Sequence, residues 1–189
     1  MNRSELIEQA LTNCEKVRLL AEEIGTHPEE SLRFKPAPEK WSALECIEHL
    51  NTVYEHYLPR IQNVLSQAEP SSNEVFSSGL FGGMMTRSML PKTEGATTMS
   101  MKTFKRMEPQ VTDKLTRVVL KQYRLNVSEL KSCIEKANDY DLKKLKVASA
   151  IGPILRFRLG DAFQFVLAHD MRHLKQAQQI LSKLEVKKV

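Results

Sequence analysis

Apolar residues recur at three- and four-residue steps over four long stretches of this chain, with Glu, Lys and Arg filling the intervals. That period lays one apolar stripe along each stretch and predicts four amphipathic helices. The first covers about 5–24 through Ile7, Leu11, Cys14, Ala21 and Ile24, with Asn2 and Glu5 placed as a capping box and Gly25 as its stop. The second is announced at 42–45, Ser-Ala-Leu-Glu, a second capping box, with Trp41 in position to staple onto Cys46. Leu50, Tyr54, Leu58, Ile61 and Leu65 carry its stripe, and Pro59 inside it predicts a kink near Glu55. The third opens with Pro109 as its first residue and runs through Val111, Leu115, Val118, Leu125 and Leu130 to about 137. The fourth begins at Gly160-Asp161, with Asp161 as N-cap, and reaches about 184.

Between the second and third stripes the pattern breaks. Residues 66–108 mix Ser, Asn, Gly and Thr clusters with isolated apolar pairs, and one short helix is expected around 83–90. A connection of this length covers a site or wanders, and its apolar content predicts a lid-like crossover packed over the bundle. Met84, Met85, Met89 and Met99 in it are filler or the lining of an adaptable pocket. A second break, about 139–158, contains Gly152-Pro153 and reads as irregular. No stretch alternates with period two and no internal repeat is present. The expectation is one all-α domain over 1–189: an up-and-down four-helix bundle with a long crossover between helices 2 and 3.

Composition changes this picture little. A length of 189 residues, 41% hydrophobic and 27% charged, suits a single core that needs no disulfides. Cys14, Cys46 and Cys133 are odd in number and far apart, which fits neither a disulfide framework nor a zinc-type pair. With no apolar run of spanning length and no apolar leader, a cytoplasmic protein without a membrane partner is expected. The formal net charge of +5 is mild. Lys143, Lys144 and Lys146 cluster, but no nucleic-acid motif accompanies them, so they read as solvated surface and no nucleic-acid partner is expected.

The chemistry sits in histidines. His169 and His173 are one helical turn apart on one face, and His49 lies on the amphipathic second stretch. Both stripes mix imidazoles with apolar residues, which points the rings inward. Buried neutral imidazoles need partners for their nitrogens, and a divalent cation satisfies three at once. For the i,i+4 pair taken alone, hydrogen-bonded core or surface histidines are the commoner reading. Asp170 gives the motif the form His-Asp-x-x-His, in which the acid is a candidate general base. It points about a quarter-turn away from the ligands, so an orienting or surface role is favoured. Arg172 is a candidate anion clamp, or else a partner of Glu45 or Glu48. His56 is a candidate pocket residue.

The stretch 35–50, Lys-Pro-Ala-Pro-Glu-Lys-Trp-Ser-Ala-Leu-Glu-Cys-Ile-Glu-His-Leu, resembles the Pro-x-x-x-x-Trp-Ser and His-Leu pattern of DinB-like proteins. The stretch 160–176, Gly-Asp-Ala-Phe-Gln-Phe-Val-Leu-Ala-His-Asp-Met-Arg-His-Leu-Lys-Gln, resembles their last helix, with its His-x-x-x-His and trailing Gln. The resemblance implies a four-helix bundle, often a homodimer, with a metal centre on His49, His169 and His173. Relatives on this fold include low-molecular-weight-thiol transferases. The resulting expectation is a zinc or nickel protein acting on a small-molecule substrate, as a metal-dependent hydrolase or a thiol S-transferase. Three neutral nitrogens leave coordination positions open, which favours chemistry over a closed structural site. The alternative is a non-catalytic metal-containing module that binds a small molecule or a protein.

Overall fold

The computed structural model describes residues 1–90, 107–109 and 115–186. Its elements in order are α1 (Arg3–Gly25), α2 (Glu29–Arg33), α3 (Ala43–Ser66), α4 (Leu80–Met89), α5 (Val118–Lys136), a 3-10 turn (Ala137–Asp139), β1 (Lys146–Ser149), β2 (Gly152–Arg158) and α6 (Leu159–Val186). The four long helices α1, α3, α5 and α6 form the bundle. Both α1 and α3 pack against both α5 and α6. The cyclic order is therefore α1–α5–α3–α6, and the chain crosses the bundle diagonal twice, from α1 to α3 and from α5 to α6. This order makes α3 and α6 neighbours.

Both capping boxes form. The Asn2 side chain accepts from the Ser4 amide while Glu5 accepts from the Asn2 amide at 2.9 Å. Ser42 Oγ accepts from the Glu45 amide at 3.2 Å, and Glu45 returns the bond to the Ser42 amide at 2.7 Å. Each box satisfies two donors that the helix start leaves unpaired. Gly25 is not a left-handed stop: it is the last residue of α1, and the chain leaves through Thr26 in the right-handed region. Helix α3 continues through Pro59 to Ser66, burying Leu50, Tyr54, Leu58, Ile61 and Leu65 as the stripe predicts.

Three expectations need correction. Helix α5 starts at Val118, not at Pro109, which is buried outside any helix. Arg117 anchors the true start by donating to the carbonyls of Gly25, at 2.9 Å, and His27. Its buried stripe is Val119, Leu120, Tyr123, Val127, Leu130 and Ile134; of the predicted stripe Leu130 is core and Leu115 packs on it, Val118 and Leu125 are exposed, and Val111 lies outside the described residues. Second, the segment read as irregular holds an antiparallel hairpin, with Val147 opposite Phe157 and Lys146 opposite Arg158. Val147, Ser149 and Phe157 are its buried residues across the paired region, and only two of them are apolar, too few to register as hydrophobic alternation. Third, Asp161 does not cap its own helix.

Asp161 lies fully buried in the first turn of α6 and docks α4. Its carboxylate accepts from the Gly79 amide at 2.8 Å and from the Ser78 hydroxyl, at the N-terminal end of α4. Gly82 makes this close approach possible, because a Cβ there would meet Asp161 at 2.5 Å. Helix α4 is the short helix expected in the crossover, displaced by a few residues, and it lies along α6 and β2. Met89 is buried and Met85 packs on the core, whereas Met84 is exposed, so they line no common pocket. Met99 lies outside the described residues. All three cysteines are free and buried. Burial pushes their thiols up, that of Cys14 to about 12, so none is a nucleophile at neutral pH.

Candidate metal centre

Helix α3 carries His49 and helix α6 carries His169 and His173, and the adjacency of the two helices brings the three rings together. Ring centroids lie 5.0 Å apart for His49 and His169, 4.7 Å for His49 and His173, and 4.5 Å for His169 and His173. One nitrogen from each falls within 4.8 Å of the others. His49 Nε2 and His169 Nε2 are 3.3 Å apart. Two nitrogens at about 2.0–2.1 Å from a tetrahedral ion would stand about 3.3 Å apart. The donor set fits a divalent cation.

Neighbouring groups select the tautomers. His49 Nδ1 lies 2.5 Å from the Met107 carbonyl, so it carries the proton and leaves a lone pair on Nε2. His173 Nδ1 lies 3.1 Å from Gln176 Oε1, which fixes its tautomer in the same way. His169 Nδ1 is buried without a hydrogen-bond partner among the described residues. Without a cation, His169 Nε2–H would have to donate to His49 Nε2, stranding a lone pair on Nδ1. A cation would accept both Nε2 lone pairs in place of that bond, and His169 would then carry its proton on Nδ1. Burial also holds the rings neutral. It lowers His49 against an opposing pull from the Met107 carbonyl, and it takes His169 well below its ordinary value, helped by His173, His49 and Arg172. It brings His173 down to about 3, with His49 and Arg172 adding to the effect. Neutral imidazole is the form that binds metal.

The walls are aromatic. The Trp41 ring lies 5.0 Å from His49 and 5.8 Å from His173, so it covers the ligands. Phe165 stacks on His169 at 5.9 Å, and Phe157 of β2 stacks on Phe165 at 5.0 Å, with Phe81 of α4 beyond it. The hairpin and α4 thus buttress the ligand helix. His49 and His169 are buried, while His173, Trp41 and Arg172 keep partial exposure and mark the side facing solvent.

The remaining candidates fall elsewhere. Asp170 is fully buried, pointing away from the ligands into the bundle, and accepts from Tyr54 at 2.5 Å and Tyr123 at 3.0 Å. Burial raises it to about 7 against the opposing pull of the two hydroxyls. It is neither on the surface nor a base for the centre. Instead it ties α6 to α3 and α5. Arg172 reaches the Ser88 carbonyl at the end of α4, at 3.4 Å, and burial lowers its pKa. Glu45 pairs with Lys35 at 2.9 Å and Glu48 accepts from Asn51. His56 packs on Tyr57 at 4.9 Å and is not among the nitrogens that converge. Met107 and the tyrosine pair were missed by sequence reasoning. A backbone carbonyl 58 residues from its histidine leaves no sequence signal, whereas Gln176, one turn beyond His173, could be read as a partner.

Residues 15–177 match the family model of the DinB superfamily, and the chain belongs to that superfamily. No curated protein and no solved structure matches it.

Proposed function

We propose that this member of the DinB superfamily is a metal-dependent enzyme that activates a low-molecular-weight thiol for transfer to an electrophile. The observation that carries the reading is the donor set: neutral imidazoles from two helices, and no carboxylate joining them among the described residues. Such a set holds a zinc- or nickel-like divalent cation and leaves coordination positions open. A cation held there would supply Lewis acidity, bringing a thiol's pKa down so that the thiolate prevails at neutral pH.

The chain's own groups prepare this chemistry. Met107 and Gln176 hold Nδ1 protons, which keeps the ligating nitrogens basic and fixed in direction. Trp41 and Phe165 wall the centre with apolar rings and exclude water from those sides. Arg172, on the ligand helix at the half-exposed side, supplies a cation that would hold a carboxylate of the thiol. Hydrolysis is less well served, since it wants a base and both candidates are absent from the centre. Asp170 is held by two tyrosines, and His56 does not reach the cluster.

The test is the rate of addition of cysteine and of glutathione to 1-chloro-2,4-dinitrobenzene by the full chain, with and without zinc or nickel. A rate that requires the metal, saturates with thiol and is lost in His169→Ala is expected. Metal bound at the centre with no thiol rate above the metal-free protein would leave the non-catalytic binding module instead.

A further inference from the structure

The hairpin β1–β2 has one face buried and one face open, and the open face has an uneven chemistry. Val147 and Phe157 point inward and are fully buried. On the other face Lys146 and Arg156 are exposed, and Arg158 donates to Ser77 instead. Past Arg156, towards the tip, Ile154 is 93% exposed and Leu155 is 39% exposed. Lys143 and Lys144 are exposed in the turn that leads into β1. Among the described residues none of Lys143, Lys144, Lys146 and Arg156 makes an ion pair. Lys143 interacts electrostatically with Asp141 beside it, and the four cations stand in a chain whose whole formal excess is +5.

An isolated exposed isoleucine is ordinary. An aliphatic tip with a group of exposed cations set behind it is a specific layout. The register shifts between Ala148 and Ser149, so Ile154 and Leu155 lie outside the paired ladder at the irregular tip, next in the chain to Arg156. In an interfacial protein, apolar side chains enter the boundary between headgroups and acyl chains, and basic residues stay at the level of the phosphates. A single-stranded nucleic acid would instead want exposed aromatic rings for base stacking, and this face carries none.

We propose that the hairpin is a peripheral docking surface for a membrane rich in anionic lipid. Ile154 and Leu155 enter the interface, and Arg156 with Lys143, Lys144 and Lys146 lies against the headgroups. The sequence expectation of no membrane partner rested on the lack of a spanning segment. No helix among the described residues is long and apolar enough to cross a membrane, and a peripheral contact requires none. Phe157, the inward neighbour of Arg156, stacks on Phe165, so the docking face shares a strand with the wall of the candidate metal centre.

Co-sedimentation of the full chain with large vesicles tests this, using phosphatidylcholine alone against phosphatidylcholine mixed with phosphatidylserine, at low and high salt. Binding is expected to the mixed vesicles only and to weaken with salt. The double variant Lys146→Gln/Arg156→Gln should weaken it on the order of tenfold or more. Ile154→Ser should weaken it about tenfold, with an unchanged unfolding transition, because the side chain makes almost no packing contact. No binding to mixed vesicles at low salt would overturn the proposal, as would binding that Ile154→Ser leaves intact. Capture of an acidic peptide or an oligonucleotide with no vesicle binding would assign the face to another partner and overturn it too.

Discussion

His49, His169 and His173 can serve as ligands because burial keeps each neutral, and His49 and His173 are aimed by groups that never touch the ion. Gln176 is the most accessible of these groups. Gln176→Leu removes the acceptor of His173 Nδ1–H. It should weaken zinc binding by about 10–100-fold, read by competition with a chromophoric chelator. His56→Ala should leave the affinity unchanged, and an equal loss in both variants would contradict the assignment. Asp170 gives a separate prediction with a definite sign. Its folded pKa of about 7 stands above the unfolded value near 3.8. Any stability from its protonated form is therefore fully present below the unfolded value and is lost as pH rises through about 7. Asp170→Asn keeps an acceptor for both tyrosines and carries no charge. In metal-free urea titrations the variant should be the more stable at pH 8. The gap should close by up to about 1.4 kcal/mol per pH unit between pH 7 and 4. A gap independent of pH would show that the carboxyl is not perturbed by its surroundings. The sequence placed Asp170 a quarter-turn from the ligands, which holds. What it could not supply was the far side: the turn faces two tyrosines on α3 and α5 rather than solvent.

At the level of elements, the docking of α4 on α6 turns on one carboxylate and one missing side chain. Asp161→Ala leaves the Gly79 amide and the Ser78 hydroxyl without their acceptor. Gly82→Ala drives a methyl into the position Asp161 occupies. Each should cost about 1–3 kcal/mol and lower hydrogen-exchange protection over 80–89 before it lowers protection in α3. Uniform loss across all helices would contradict a locally docked element. Local rules explain which elements the sequence revealed. A capping box is a contact within four residues, so Asn2 with Glu5 and Ser42 with Glu45 could be read directly. The hairpin has too few inward positions to show a period, and it stands on Phe157 meeting Phe81 and Phe165, contacts made by tertiary structure. Pro109 carried a good helix-start signal, but the segment around it serves instead to bring the Met107 carbonyl to His49. Of the predicted α5 stripe Leu130 is core, whereas Val118 and Leu125 look like core and are exposed.

For the whole molecule, the ring order α1–α5–α3–α6 is what makes two ligand helices neighbours, and no local pattern encodes it. The His-x-x-x-His pair and the family likeness named the ligands; the diagonal crossings placed them. A cation that binds only the folded chain stabilises it by mass action. About 2.7 kcal/mol is expected with zinc at a hundred times its dissociation constant, and none in His169→Ala. The most direct test uses Trp41, the only tryptophan in the chain, which stands 5.0 Å from His49 and 5.8 Å from His173. Nickel titrated into the metal-stripped full chain should change Trp41 fluorescence to a sharp end point at one equivalent, and His49→Ala should abolish that step. A titration without an end point, or one that His49→Ala leaves in place, would contradict a cation shared by histidines of two helices.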